Sequence, residues 1–170
     1  MLCEVDEKGI VIKITGTKIF SKASERVVYP WTKEGEVYTT EPPLEYLKSQ
    51  KLLEVDNWTE RKITGGFISS ASGQLVHYDS DKDTQLTMQG IALNVNTLLF
   101  EQEYPNGCPV RGYLSKDAEK TIFWLTAEQV LRWMADLSMH IGNCKQQGWA
   151  KQAEVNACTT KEQLEAIILE

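Results

Sequence analysis

The densest run of side chains able to do chemistry is Asp79-Ser80-Asp81-Lys82-Asp83-Thr84. Oxygen ligands at the first, third and fifth positions would open a calcium loop, but such a loop needs glycine sixth and a bidentate acid twelfth. Thr84 and Gly90 stand in those places, so these residues are expected to start a helix, with acids capping it and complementing its dipole. The same acids would be the carboxylate pair of a glycan hydrolase, the rival reading from enzyme chemistry. Nucleophilic catalysis needs a base and a group to orient it, and the chain has two histidines. His77 is expected on a strand surface and His140 on a helix face near the core boundary.

Cys3, Cys108, Cys144 and Cys158 are scattered without a CxxC pair and read as reduced thiols of a cytoplasmic chain. His140 and Cys144 lie four apart and share a helix face; with Cys158 they would make a zinc set that lacks a fourth ligand and close pairing. No phosphate-binding loop, dinucleotide fingerprint, nucleophile elbow or zincin motif occurs, and Gly65-Gly66 reads as a helix stop. No catalytic, cofactor-binding or metal-binding residue is therefore assigned, and no cofactor is expected.

The whole chain sets the frame for these residues. Its 170 residues are 42% hydrophobic, with 18 Lys+Arg against 24 Asp+Glu for a net charge of -6. That suffices for one compact core with an appendage and is unlike a disordered chain. The acidic excess falls after Gly65, which argues against phosphate-backbone binding and hence against nucleic acid as a partner. No stretch approaches the roughly 20 apolar residues of a membrane helix, and Met1-Leu2-Cys3-Glu4-Val5-Asp6 resembles no signal peptide. The expectation is a soluble, unprocessed chain with no membrane partner.

Along the chain, residues 1–43 read as a small extended or β module with linker. Ile10, Ile12 and Ile14 alternate there, a second extended stretch covers Arg26 to Tyr29, and a third surrounds Val37-Tyr38. Glu41-Pro42-Pro43 closes the module and leads into a helix from Leu44 to about Ile63. A hairpin follows, Phe67–Ala71 and Gln74–Tyr78 around a tight Ser72-Gly73 turn. Next comes one helix with a stripe of Met88, Ile91, Ala92, Val95, Leu98 and Leu99. A second hairpin pairs Val110–Leu114 with Thr121–Leu125 around the polar stretch Ser115 to Lys120. Thr126-Ala127-Glu128-Gln129 is a capping box that opens a long helix with Val130, Trp133, Met134, Leu137, Ile141 and Cys144 inward. Thr160-Lys161-Glu162-Gln163 starts a short last helix with Leu164, Ile167 and Ile168 inward. The fold class is α+β: a helix-dominated domain over residues 44–170 with two β-hairpins, preceded by the N-terminal module.

Five tryptophans occur, and residues of that size serve cores or interface hot spots. Trp124 and Trp133 fit the core period, whereas Trp31 beside Pro30 and Trp149 beyond the clean stripe are expected to face a partner.

Residues 44–170 resemble a domain-of-unknown-function family that recurs in tail and tail-fibre-associated proteins of tailed bacteriophages and prophages. Four phrases carry the resemblance: Asp56-Asn57-Trp58-Thr59 before Gly-Gly and a hairpin, and Tyr78-Asp79-Ser80-Asp81 followed by Gln85 and Gly90. The others are Trp124-Leu125-Thr126-Ala127-Glu128-Gln129 and Thr160-Lys161-Glu162-Gln163-Leu164-Glu165-Ala166-Ile167. Trp58, Asp79, Asp81 and Gln85 are its motif residues, of structural type, and it brings no catalytic residues to carry over. The resemblance implies a non-enzymatic structural or assembly protein. Its partners would be phage tail or tail-fibre proteins and further copies of itself, met in the host cytoplasm during assembly or in the virion tail. A phage-encoded binder of a host protein is the remaining alternative.

Overall fold

A computed structural model describes residues 1–16, 25–115 and 118–170. Its elements are β1 (Leu2–Val5), β2 (Val11–Thr15), β3 (Glu25–Val27), α1 (Leu44–Thr64), β4 (Phe67–Ser69) and β5 (Val76–Tyr78). There follow α2 (Lys82–Asn94), α3 (Leu98–Glu103), β6 (Cys108–Gly112), β7 (Thr121–Leu125), α4 (Ala127–Ala157) and α5 (Lys161–Glu165). This is the expected α+β plan, with α1 and α4 dominant and two hairpins. The stretch expected as the second hairpin's loop, Ser115 to Lys120, lies partly outside the described residues. Two compact units divide the chain: Met1–Leu53 with Glu154–Ile168, and Glu54–Ala153.

In the first unit, β2-β1-β3 form an antiparallel sheet. Its central strand is the opening segment Leu2–Val5, in which sequence reading saw no element. The register slips at Glu4/Val5, so that Val5 pairs with Val11. Cys3, Val5 and Val11 are buried there, with Ile14, Val28 and Tyr38 against them. The expected Ile10-Ile12-Ile14 face is therefore corrected: Val11 points inward and Ile12 is exposed. At the other end of this unit Thr160 and Gln163 make the reciprocal capping box of α5. Leu164 and Ile167 are buried as expected, but Ile168 is exposed, because α5 ends at Glu165 and helical spacing no longer places it.

The second unit has its own core, which includes Phe67, Val76, Tyr78, Met88, Phe100, Val110, Leu125, Val130, Trp133 and Leu137. β4 pairs with β5 through Phe67↔Tyr78, Ile68↔His77 and Ser69↔Val76. The expected two-residue turn at Ser72-Gly73 is thus replaced by a longer loop. Ser69 causes this, because its hydroxyl oxygen accepts from Ala71 N at 3.1 Å and ends the ladder early. The chain reverses instead at Ser70–Gly73, with Gly73 N donating to Ser70 O at 2.9 Å and Gly73 at φ +89°.

The single helix expected from its start at Asp79-Ser80-Asp81 through Leu99 is two helices. Asn94 Nδ2 donates to Gly90 O at 3.0 Å, and Thr97 Oγ1 to Asn94 O at 2.7 Å. These local side-chain bonds compete with the helix backbone and stop it. The break turns Leu98 and Leu99 to solvent and sends Phe100 into the core.

β6 and β7 pair from Cys108↔Leu125 to Gly112↔Thr121. With Leu125 buried, strand alternation turns Trp124 outward. It is 57% exposed, which overturns its assignment to the core. α4 runs 31 residues from the Thr126 capping box. There Gln129 N donates to Thr126 Oγ1 and Thr126 N to Gln129 Oε1. Gly148 continues the helix because it faces Thr59 of α1: a Cβ would lie 2.4 Å from Thr59 Oγ1.

Candidate functional site

The motif Asp79-Ser80-Asp81 with Gln85 is a joint. α1 ends at Gly65-Gly66, where Gly66 takes φ +99° and gives its N–H to Ser80 Oγ at 2.8 Å. The fully buried Ser80 hydroxyl donates in turn to Ile63 O. One hydroxyl therefore satisfies both a helix-end carbonyl and the amide beyond it. Gln85 Nε2 donates back to Ser80 O at 2.6 Å, locking the first turn of α2 onto the same residue. The motif residues picked out in the sequence were the aspartates and Gln85, with no role given to Ser80, the residue on which these bonds converge.

Two of the acids, Asp79 and Asp81, have local work. Asp81 caps α2, accepting from Thr84 N at 3.0 Å and from Thr84 Oγ1 at 2.6 Å. These bonds, led by the Thr84 hydroxyl, lower its pKa below the ordinary aspartate value. Asp79 pairs with Lys120. Among the described residues no group of three or more His, Cys, Asp or Glu side chains is placed to hold a metal ion.

A depressed folded-state pKa gives stability that is full above the unfolded pKa and is lost as pH falls through the folded one. Asp81→Asn, which keeps an oxygen for the cap, is expected to lose less melting temperature than the wild type between neutral pH and about pH 3. Equal losses would show that the ionised carboxylate adds nothing.

Among the described residues no hydrogen bond links either histidine to a carboxylate or a hydroxyl. His77 exchanges backbone bonds with Tyr113 (2.9 and 3.0 Å), and the rings stack with centroids 5.4 Å apart. This pair joins the two hairpins edge to edge. His140 Nε2 lies 3.0 Å from Lys62 O, a carbonyl, so that nitrogen carries the proton and donates. Cys144 Sγ lies 3.7 Å from the same nitrogen, as the shared helix face required. Burial pushes the Cys144 thiol up, with the Lys62 charge a smaller opposing effect, which keeps it protonated and unlike an activated nucleophile. Burial raises Cys3 and Cys108 likewise. Sequence reading missed Ser69 Oγ donating to Asp136 Oδ2 at 2.7 Å, with Arg132 Nε 3.2 Å from Asp136 Oδ1. Among the described residues this set joins a hydroxyl, a carboxylate and a guanidinium, with no histidine hydrogen-bonded to it.

A cleft of about 310 Å3 opens beside this joint, between α2 and β6, with Met88, Val110 and Trp133 in its wall and Asp79, Asp83 and Arg111 around it. Two buried polar atoms of its lining residues, Tyr78 Oη and Trp133 Nε1, make no well-formed hydrogen bond among the described residues. Both belong to the core aromatic cluster, in edge contact at 5.5 Å.

The four remaining tryptophans divide sharply. Trp58 is buried on α1, with Lys62 Nζ 4.6 Å from its ring centre. Trp31 stacks flat on Tyr29 at 4.9 Å, meets Tyr46 at 5.2 Å, and spends its N–H on Thr39 O at 3.1 Å. Trp149 is 60% exposed, beside a groove of about 200 Å3 between Thr59 of α1 and Lys145 and Gly148 of α4. With Trp124, it is one of two tryptophans whose apolar area faces water. Trp124 and Ile122 stand on the outer face of β7, both more than half exposed, opposite Pro109 and Arg111 of β6.

Residues 46–168 match the family model described as a domain of unknown function, DUF4376. The chain belongs to this family. No curated protein and no solved structure is significantly similar to it. The DUF4376 match begins inside α1 and ends past α5, so it takes in the Ser80 joint, both hairpins and the whole of α4. Among the described residues of this DUF4376 protein no helix is long and apolar enough to cross a membrane.

Proposed function

We propose that this DUF4376 protein is a non-enzymatic tail-associated structural or assembly protein of a phage or prophage, acting through protein–protein contacts in the host cytoplasm or the virion tail. The observation that carries the reading is the uncovered outer face of β7. Ile122 and Trp124 hold two large apolar side chains in water on one short strand, an aromatic and β-branched pairing of the kind interfaces bury. The phage context rests on the resemblance of the ordered phrases from Trp58 to Ile167. Two of the three acids that a glycan hydrolase would use also favour the contact reading, since Asp81 is spent on a helix cap and Asp79 on Lys120.

Deletion of the gene in the phage or prophage, followed by electron microscopy and mass spectrometry of purified particles, tests this. Missing or malformed tails or fibres are expected. Presence of the chain in wild-type particles would make it a component, and absence together with fibre loss would make it an assembly factor. Normal particles with normal infectivity after deletion would sink the reading.

A further inference from the structure

Among the described residues β7 has one partner strand, and its other edge can be read residue by residue. Tyr113 exchanges both backbone bonds with His77, so in a regular antiparallel ladder Gly112, Val110 and Cys108 point their N–H and C=O groups the other way, at β7. Their partners Thr121, Phe123 and Leu125 then point inward at β6. Ile122 and Trp124 consequently aim their N–H and C=O groups outward, and among the described residues no hydrogen bond reaches those groups. The residues with free backbone groups are the same two whose large apolar side chains are exposed.

Sheet edges of soluble proteins are usually blunted by charge, proline or a bulge. Thr121-Ile122-Phe123-Trp124-Leu125 contains neither charge nor proline, and its ladder with β6 runs without a bulge. The lack of charge matters in a chain of net charge -6, because two copies can meet here without placing acid against acid. The order of residues is also self-complementary. About a two-fold axis at Phe123, Ile122 faces Trp124 of the other copy twice over, closing all four free backbone groups and bringing β-branched and aromatic side chains together on one face.

We propose that β7 is a self-association edge, on which two copies of this chain pair antiparallel through Thr121–Leu125 with the two-fold axis at Phe123. The partner is thereby a second copy, and the inference rests on the reading above that this face makes protein contacts.

Light scattering and sedimentation of the purified full chain over a wide concentration range test it separately from the particle experiment. The expected mass rises from 19.3 kDa towards twice that value. Ile122→Pro removes an edge donor while sparing the β6 ladder, and Trp124→Lys places charge on the seam. Both are expected to hold the chain monomeric with an unchanged circular dichroism spectrum. The double variant Ile122→Cys/Trp124→Cys is expected to form disulfide-linked dimers under mild oxidation, because directly opposed residues of such a pair lie about 5.5 Å apart between Cα atoms. A chain monomeric at every concentration, or a dimer that survives Trp124→Lys, overturns the proposal. Either result leaves the particle experiment to decide the tail reading independently.

Discussion

Gly112→Ala is expected to lower the stability of the second unit by about 3 kcal/mol, the upper range for overpacking a tight site. In a chain of this length that is roughly 6–12 °C of melting temperature. A Cβ built on Gly112 falls 2.5 Å from Val76 Cγ1, 2.9 Å from His77 O and 3.0 Å from Tyr78 Cε1. The valine methyl can rotate away, but the His77 carbonyl is backbone and accepts the Tyr113 N–H at 3.0 Å. Relief must therefore come from separating β5 and β6, which meet through that pair of residues. A thermal melt followed by circular dichroism measures the cost, and a change under about 0.5 kcal/mol, the range of inert surface substitutions, would contradict the close approach of the hairpins. Gly142 is a matched control on α4, since nothing lies within 4 Å of its Cβ position and alanine favours helix.

Ser80→Ala is the second large effect. It removes the acceptor of Gly66 N and the donor to Ile63 O at a fully buried position. Each orphaned buried group costs about 1–3 kcal/mol, and an expected total of about 3 kcal/mol allows for partial relaxation. Gln85→Ala, which loses one bond to Ser80 O, should cost about 1 kcal/mol. Because the two residues share one joint, the double variant is expected to fall short of the summed losses. Chemical denaturation of the four proteins reads the cycle, and strict additivity would mean that Gln85 and Ser80 act separately.

These two residues also show what could and could not be read beforehand. Capping boxes at Thr126 and Thr160, the glycine stop after α1 and the long stripe of α4 were legible because each is a local pattern with a local cause. The aspartate cap of α2 was legible for the same reason. Ser80 was not, since a serine between two aspartates looks like more of the same polar run until Ile63 and Gly66 are brought against it. The helix over Met88 to Leu99 failed differently. Apolar spacing carried through residues 95–97, while the Asn94 and Thr97 side chains stopped the backbone underneath it. Trp124 was misplaced because size suggested a core, and only the pairing of β6 with β7 fixes which strand face is inside. Of the two tryptophans expected at an interface, Trp149 kept its indole in water, whereas Trp31 was drawn into a stack with Tyr29 that no spacing rule announces.

The scattered tryptophans have a practical consequence as a built-in optical gauge. Trp58 and Trp133 are buried, and Trp124 and Trp149 are exposed, so collisional quenchers in solution address the two exposed indoles and spare the two buried ones. Replacing Trp149 with phenylalanine would leave, apart from the half-buried Trp31, Trp124 as the exposed emitter on the face of β7. Its colour and quenching would then report in real time, and without any label, whether that strand is bare or covered.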